Sequence, residues 1–234
     1  MNLIKILNEG TTIYTSGTTG PSKPVHQPVE KIRESNKVAR EVQMITKDSK
    51  VYTVCSMDHA GGLFAQTLPA VEINAQVHVE SFNPFGRVKK TKEFTHSHLT
   101  PGMAEAITRA KSWKDIDLTG KIIACGSDRV PASTVNKFVD KGCTFIANWG
   151  MSEVGPIAIN KTFTPSSQEA KDMEIDGRIC TIMGDELFID TDISDWSDEL
   201  SIKGDLSVYE DWFSTGDVVK HEEGQYWYFG RKSS

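Results

Sequence analysis

The chain has little cysteine, no long apolar run and no excess of positive charge, and each shortage removes a class of protein. Its four cysteines, Cys55, Cys125, Cys143 and Cys180, stand far apart, and no two share the C-x-x-C spacing of structural zinc or thioredoxin-like chemistry. Reduced, mostly buried thiols are expected. The longest apolar runs, such as 122–125 and 145–147, fall far short of the roughly 20 residues that a membrane-spanning helix needs. The N-terminal MNLIKILNEG turns polar by Glu9, without the apolar stretch and small-residue cleavage site of a secretory signal. The sequence therefore reads as cytoplasmic and free of membrane. Lysine and arginine total 26 against 32 aspartates and glutamates, a net charge of −6. A nucleic-acid partner is not expected, because such affinity rests on clustered cations that displace counterions from phosphate.

What remains is a globular composition. With 234 residues, 38% hydrophobic and 25% charged, the chain can bury a sizeable core in one or two domains. Short β-rich runs alternate with helical ones, the signature of an α/β layered domain. A strand is expected over 12–15, then a Ser/Thr/Gly loop and a helix over about 30–45 with Ile32, Val38, Ala39, Val42 and Ile45 on one face. Strands follow at 51–55, 76–79, 121–125 and 144–147, with helices over 61–70, 101–111 and 131–141. After about Pro156 the helical period fades into strand candidates at 178–183, 186–189, 205–208 and 225–229, so that 1–156 reads as an α/β subdomain and 157–234 as a smaller β-rich one. The acidic stretch 191–199, TDISDWSDE, reads as a solvated loop.

The segment TIYTSGTTGPSKPVHQP, residues 12–28, carries the most chemistry. Gly17 and Gly20 let backbone N–H groups approach phosphate oxygens, Thr15, Ser16, Thr18 and Thr19 offer hydroxyl donors, and Lys23 adds a compact positive charge. This is not a Walker A loop, because Gly20 is followed by Pro-Ser-Lys-Pro rather than Lys-Ser/Thr. A flexible Ser/Gly linker has the same composition. The strand before it, the proline-bounded lysine and the helix after it favour phosphate.

The order of residues in YTSGTTGPSKPV closely resembles the phosphate-loop signature of the adenylate-forming superfamily, which holds acyl- and aryl-CoA ligases, luciferases and nonribosomal adenylation domains. Further segments resemble that family's motifs in the same order: SMDHAGGLF (56–64), IIACGSDRVP (122–131), NWGMSEVG (148–155) with Trp149 for Tyr and Ser152 for Thr, WFSTGDVV (212–219) and YFGRKSS (228–234). The resemblance covers about residues 11–232. It implies an α/β layered sheet-and-helix core, ATP or AMP with Mg2+ as cofactors, and a small carboxylic acid as substrate. Carboxylate attack on the α-phosphorus needs an ion to offset phosphate charge, donors on the non-bridging oxygens and a fixed nucleotide.

Carried over residue by residue, the resemblance gives Lys23, Ser152 and Glu153 the reacting phosphates, with Ser152 on the α-phosphate and Glu153 holding the magnesium. Asp217 takes the ribose hydroxyls and Arg231 ribose or phosphate. Thr15, Ser16, Gly17, Thr18, Thr19 and Gly20 cradle the phosphates. Gly126, Ser127, Asn148, Trp149 and Gly150 flank the nucleotide, with Trp149 flat on adenine or walling the acyl tunnel. His59, Gly61, Cys125, Met151 and Val154 border the acyl pocket. Read without the family, Asp217 is also a turn-capping aspartate, Trp149 a core aromatic, and Ser152 and Glu153 helix caps. His96 and His98 read as structural, since no third metal ligand is placed beside them.

Two departures from the family pattern shape the expected activity. The phosphate loop begins at residue 15, where relatives carry well over a hundred preceding residues. The chain also stops at Ser234, where the family hinge begins, so the C-terminal mobile domain with its catalytic lysine and thiol channel is absent from it. The starting methionine favours a natural short gene over an excised fragment. The expectation is a minimal carboxylate–AMP ligase core; the alternatives are a non-catalytic nucleotide or acyl-adenylate binding module, or one half of a split ligase. A C-terminal-domain partner in trans would then be required before coenzyme A is used, and a homo-oligomer is left open.

Overall fold

The structure is a computed structural model that describes residues 1–15, 22–84, 86, 90, 92–186 and 189–232. A short helix, α1 (Leu3–Glu9), opens the chain, its N-terminus capped by the Asn2 side chain accepting from the Lys5 N–H at 3.0 Å. Strands β1 (Thr11–Tyr14) and β2 (Pro24–Gln27) form an antiparallel hairpin of their own, with Thr11 opposite Gln27 and Tyr14 opposite Pro24. Helix α2 (Val29–Gln43) follows, and its left-handed C-cap at Met44 lets the Met44 N–H reach the Arg40 and Glu41 carbonyls.

The remaining strands form one sheet. β3 (Lys50–Thr53), β4 (Gln76–Val79), β5 (His96–Leu99), β6 (Ile122–Cys125) and β7 (Thr144–Met151) are parallel, in the spatial order β4-β3-β5-β6-β7. β8 (Gly155–Phe163) turns back antiparallel on β7, and the antiparallel half continues through β10 (Arg178–Glu186), β14 (Gln225–Arg231), β13 (Phe213–Glu222), β12 (Glu199–Lys203) and β11 (Asp190–Ile193), while β9 (Met173–Ile175) pairs with β10. The family-implied α/β core with a β-rich second half is thus the architecture observed. The sheet runs without a break through residue 156, because β7 and β8 pair from Phe145–Phe163 to Met151–Gly155.

Helical segments lie between the parallel strands. One runs as α3 (Ala60–Gly62), a π-helical turn (Leu63–Thr67) and α4 (Leu68–Glu72), and it packs on α2. α5 (Pro101–Thr108) is capped by the Thr100 hydroxyl, and α6 (Ala132–Val139) packs on it and on β7. The largest core cluster joins Leu99, Ile107, Ile123, Phe138 and Phe145, all fully buried, and a second joins Val38, Ile159, Leu200, Ile202 and Val219 in the antiparallel half. All four cysteines are buried free thiols, as their spacing suggested.

The strand expected at 205–208 is a turn, in which the Ser207 N–H donates to the Gly204 carbonyl at 3.0 Å. The strand expected at 186–189 is divided: β10 ends at Glu186, and Leu187 and Phe188 lie outside the described residues. Of the acidic stretch 191–199, residues 194–198 form a turn that carries Trp196 almost wholly in solvent, 98% exposed, while 191–193 belong to β11 and Glu199 opens β12. No helix among the described residues is long and apolar enough to cross a membrane.

Candidate nucleotide site

The carboxyl ends of β6 and β7 and the facing strands β10, β13 and β14 enclose a cavity of 420 Å³. A parallel sheet presents ligands at the carboxyl ends of its strands, where loops leave the backbone free to form a crevice. Ser127, Arg129, Asn148, Trp149, Gly150 and Met151 line one side, and Asp217, Tyr228, Gly230 and Arg231 the other.

Close backbone approach sets the first wall. A Cβ on Gly126 would stand 2.4 Å from the Asn148 carbonyl oxygen, and one on Gly150 2.3 Å from the Gly155 carbonyl oxygen, so neither position accepts a side chain without shifting backbone. Ser127 follows in a left-handed conformation, φ 75°, which turns the chain out over the cavity. Asn148 donates from Nδ2 to the Pro156 carbonyl at 2.6 Å, fixing its amide, while its Oδ1 is buried without a hydrogen-bond partner.

The second wall centres on Asp217, 4% exposed on β13. Its Oδ2 accepts from the Trp149 indole N–H at 2.8 Å, its Oδ1 accepts from the Tyr228 hydroxyl at 3.4 Å, and the Arg231 Nε lies 3.5 Å from Oδ1. Arg231 is itself held by donation from Nη2 to the Thr215 carbonyl at 2.7 Å. Burial raises the Asp217 pKa above the usual carboxylate value, outweighing Trp149 and Arg231, which favour the ionised form. Tyr228 is pushed up to about 12 by burial and by the Asp217 charge. Trp149 therefore meets Asp217 edge-on through its N–H while also lining the cavity.

The turn after β7 carries Ser152 and Glu153. The Glu153 Oε2 is buried without a hydrogen-bond partner, and burial raises the carboxyl pKa although the charges of Arg231 and Lys23 pull the other way. An orphaned carboxylate oxygen suits a cation. Among the described residues no group of three or more His, Cys, Asp or Glu gathers to hold a metal, so an ion at Glu153 would draw most of its oxygen ligands from phosphate and water.

Thr15 and Lys23 meet at the loop end of the β1–β2 hairpin: the Thr15 N–H donates to the Lys23 carbonyl at 2.9 Å, and the Lys23 N–H donates to the Thr15 hydroxyl at 3.2 Å. Ser16, Gly17, Thr18, Thr19 and Gly20 lie outside the described residues. The acyl-side residues scatter. Met151 lines the cavity, but Cys125 and Val154 are fully buried in the two core clusters, and burial raises the Cys125 thiol pKa strongly. His59 is an exposed residue that caps α3 with its carbonyl, accepting from the Gly62 and Leu63 N–H groups at 3.1 and 3.0 Å. Gly61 lies over His98 and Ser127, where an added Cβ would stand 3.2 Å from the His98 ring and 3.3 Å from the Ser127 hydroxyl. His96 and His98 are interior side chains: the His96 Nε2 pairs with the Gln43 carbonyl at 2.8 Å and the His98 Nδ1 with the Cys55 thiol at 3.6 Å.

Sequence reasoning passed over Tyr228, which bonds Asp217, and also Arg129 and Gln27. Arg129, on the loop after β6, donates from Nη2 to the Ile179 and Phe229 carbonyls at 2.9 and 2.6 Å and so ties that loop to β10 and β14. Gln27, at the end of β2, donates from Nε2 to the Ser152 carbonyl at 2.6 Å. Neither follows a local pattern, since each bridges segments at least 50 residues apart.

Comparison with known proteins supplies the frame for this geometry. The chain is 25% identical to an indoleacetate–CoA ligase of Aromatoleum aromaticum over 94% of its own length and 47% of that protein. It is 27% identical to a feruloyl-CoA synthase of an Amycolatopsis species over 62% of its length and 30% of that protein. It spans at most about half of these relatives. Its fold matches that of ATP-bound MatB from Rhodopseudomonas palustris with a TM-score of 0.76 and 17% identity, covering 95% of this chain and 48% of that one. Residues 11–192 match the model of the family described as AMP-binding enzyme, and the chain belongs to that family of adenylate-forming proteins.

Proposed function

We propose that this chain is the nucleotide-binding core of a carboxylate–AMP ligase, taking ATP or AMP in the 420 Å³ cavity and a small carboxylic acid beside it. The observation that carries the reading is the meeting of Trp149, from one side of that cavity, with Asp217, Tyr228 and Arg231 from the other. A buried carboxylate with one oxygen held by an indole N–H is an oriented acceptor for two neighbouring hydroxyls, the pattern of a ribose. Arg231 favours the ionised form of that carboxylate and adds donors for ribose or phosphate. Asn148 and Gly150 shape the floor without adding bulk, and Met151 faces the acid.

Glu153, with its unpartnered oxygen, would hold magnesium, and Lys23 and Ser152 would meet the phosphates. Magnesium, when bound, supplies charge neutralisation on the phosphates. The named relatives act on indoleacetate and ferulate, which supports an aryl or similarly compact acid here. The names of these relatives, a CoA ligase and a CoA synthase, support coenzyme A as the acceptor of the activated acid. The test is acid-dependent exchange of pyrophosphate into ATP by the purified protein with a panel of aryl and aliphatic acids. Exchange that needs the acid and magnesium supports a ligase core. AMP binding without exchange favours a binding module, and neither activity sinks both.

A further inference from the structure

The hairpin that ends at Gln27 and the turn that carries Glu153 are 125 residues apart in sequence, and a buried side chain joins them. Gln27 is 6% exposed, and its neighbour two residues back on the same face of β2, Val25, is also buried, so the amide is directed inward by the alternation of the strand. The Ser152 carbonyl can only accept, which fixes the amide NH2 of Gln27 as the donor at 2.6 Å. From the other side the Val208 N–H donates to the Glu153 carbonyl at 2.8 Å. Two successive carbonyls of the turn are thus pinned from two different elements. The turn has little freedom, and the Glu153 carboxyl that leaves it is aimed by its backbone. Lys23 lies four residues before Gln27, close enough for its charge to act on Glu153.

We propose that Gln27 is a positioning residue, which holds the Ser152–Glu153 turn against the β1–β2 hairpin and so fixes the separation between Glu153 and Lys23. The proposal rests on the reading of those two residues as the groups that meet polyphosphate and its ion. A ligand that spans both groups feels the separation. One that reaches neither, or only one, does not. Leaving the half-buried Ser152 carbonyl without its donor releases the turn at the cost of an acceptor that has lost its partner.

The experiment compares affinities for magnesium-ATP and for adenosine in wild type, Gln27→Met, Gln27→Glu and Glu153→Gln, with Gln27→Met also made in the Glu153→Gln background. Methionine keeps the length of glutamine and removes the donor; glutamate keeps the shape and removes the donor. Both should weaken magnesium-ATP by about tenfold and leave adenosine, which has no phosphate for the turn to meet, within about twofold, and Gln27→Met should add nothing once Glu153 is gone. Amide hydrogen exchange should quicken at residues 152–155 while β6 stays protected, a readout that needs no nucleotide. Equal loss for both ligands, an unchanged ratio, or unchanged exchange at 152–155 each overturns the proposal. If Glu153→Gln itself leaves the ATP-to-adenosine ratio untouched, the assignment of Glu153 to the ion is what fails.

Discussion

At the scale of single residues, the most exposed claim concerns Asp217. Hydrogen bonds to a charged acceptor contribute roughly 1.5–3 kcal/mol each, so Asp217→Ala should weaken AMP by at least about tenfold in calorimetric titration, and equal affinity of the two proteins would refute ribose recognition by this carboxylate. Burial raises its pKa, so AMP binding should fall as the pH drops through that raised value and the acceptor is protonated. His98 provides the opposite case, a base held neutral. Burial lowers its pKa from 6.5 to about 4, and the unfolded chain therefore takes up the proton first on acidification. Stability is present above pH 6.5 and is lost as the pH falls toward 4. Between pH 7 and 5 the loss attributable to this one group is on the order of 2 kcal/mol. Urea midpoints at the two pH values should converge in His98→Gln relative to wild type, and parallel shifts in both proteins would mean that other groups carry the acid sensitivity.

Elements explain which parts of this arrangement were legible in the sequence. The parallel half was readable because its helices show period and its strands are short β-branched runs, and β4, α2 and α6 lie within a few residues of their expected places. β7 was cut short at 147 because Asn148, Trp149 and Gly150 have the composition of a loop, whereas in the fold they extend the strand to Met151 by pairing with β8. β12, which begins where the acidic stretch ends, is hard to read because only Leu200 and Ile202 face inward, a two-residue signal between Glu199 and Lys203. β13 carries its burial on alternate residues, Thr215, Asp217 and Val219, of which only the last is apolar. The family motifs named most of the cavity, but the core positions of Cys125 and Val154 arise from packing that no motif encodes. The β7–β8 hairpin also yields a prediction. A Cβ at Gly150 would stand 2.3 Å from the Gly155 carbonyl, so Gly150→Ala should force the hairpin open, destabilise the fold by about 1–3 kcal/mol and weaken AMP with it. Thermal unfolding measured beside AMP titration would show both effects, and an unchanged melting temperature would contradict the close packing.

For the whole molecule, the sheet is continuous from β4 to β11, with β8 and β10 carrying it across the change from parallel to antiparallel. Packing on a shared sheet couples its halves, so far-ultraviolet and near-ultraviolet circular dichroism should report one coincident unfolding transition. Two separated transitions would mean that residues 1–156 and 157–234 are independent units. The tryptophans give the molecule a further property. Trp149 is buried at the cavity with its N–H committed to Asp217, while Trp196 stands 98% exposed at the β11–β12 turn. The two indoles should differ in emission wavelength and in accessibility to a collisional quencher such as iodide. Trp149 then becomes an optical sensor, read as the part of the emission that Trp149→Phe removes, in which filling the cavity changes the light emitted by a chromophore bonded to the carboxylate proposed to meet the sugar.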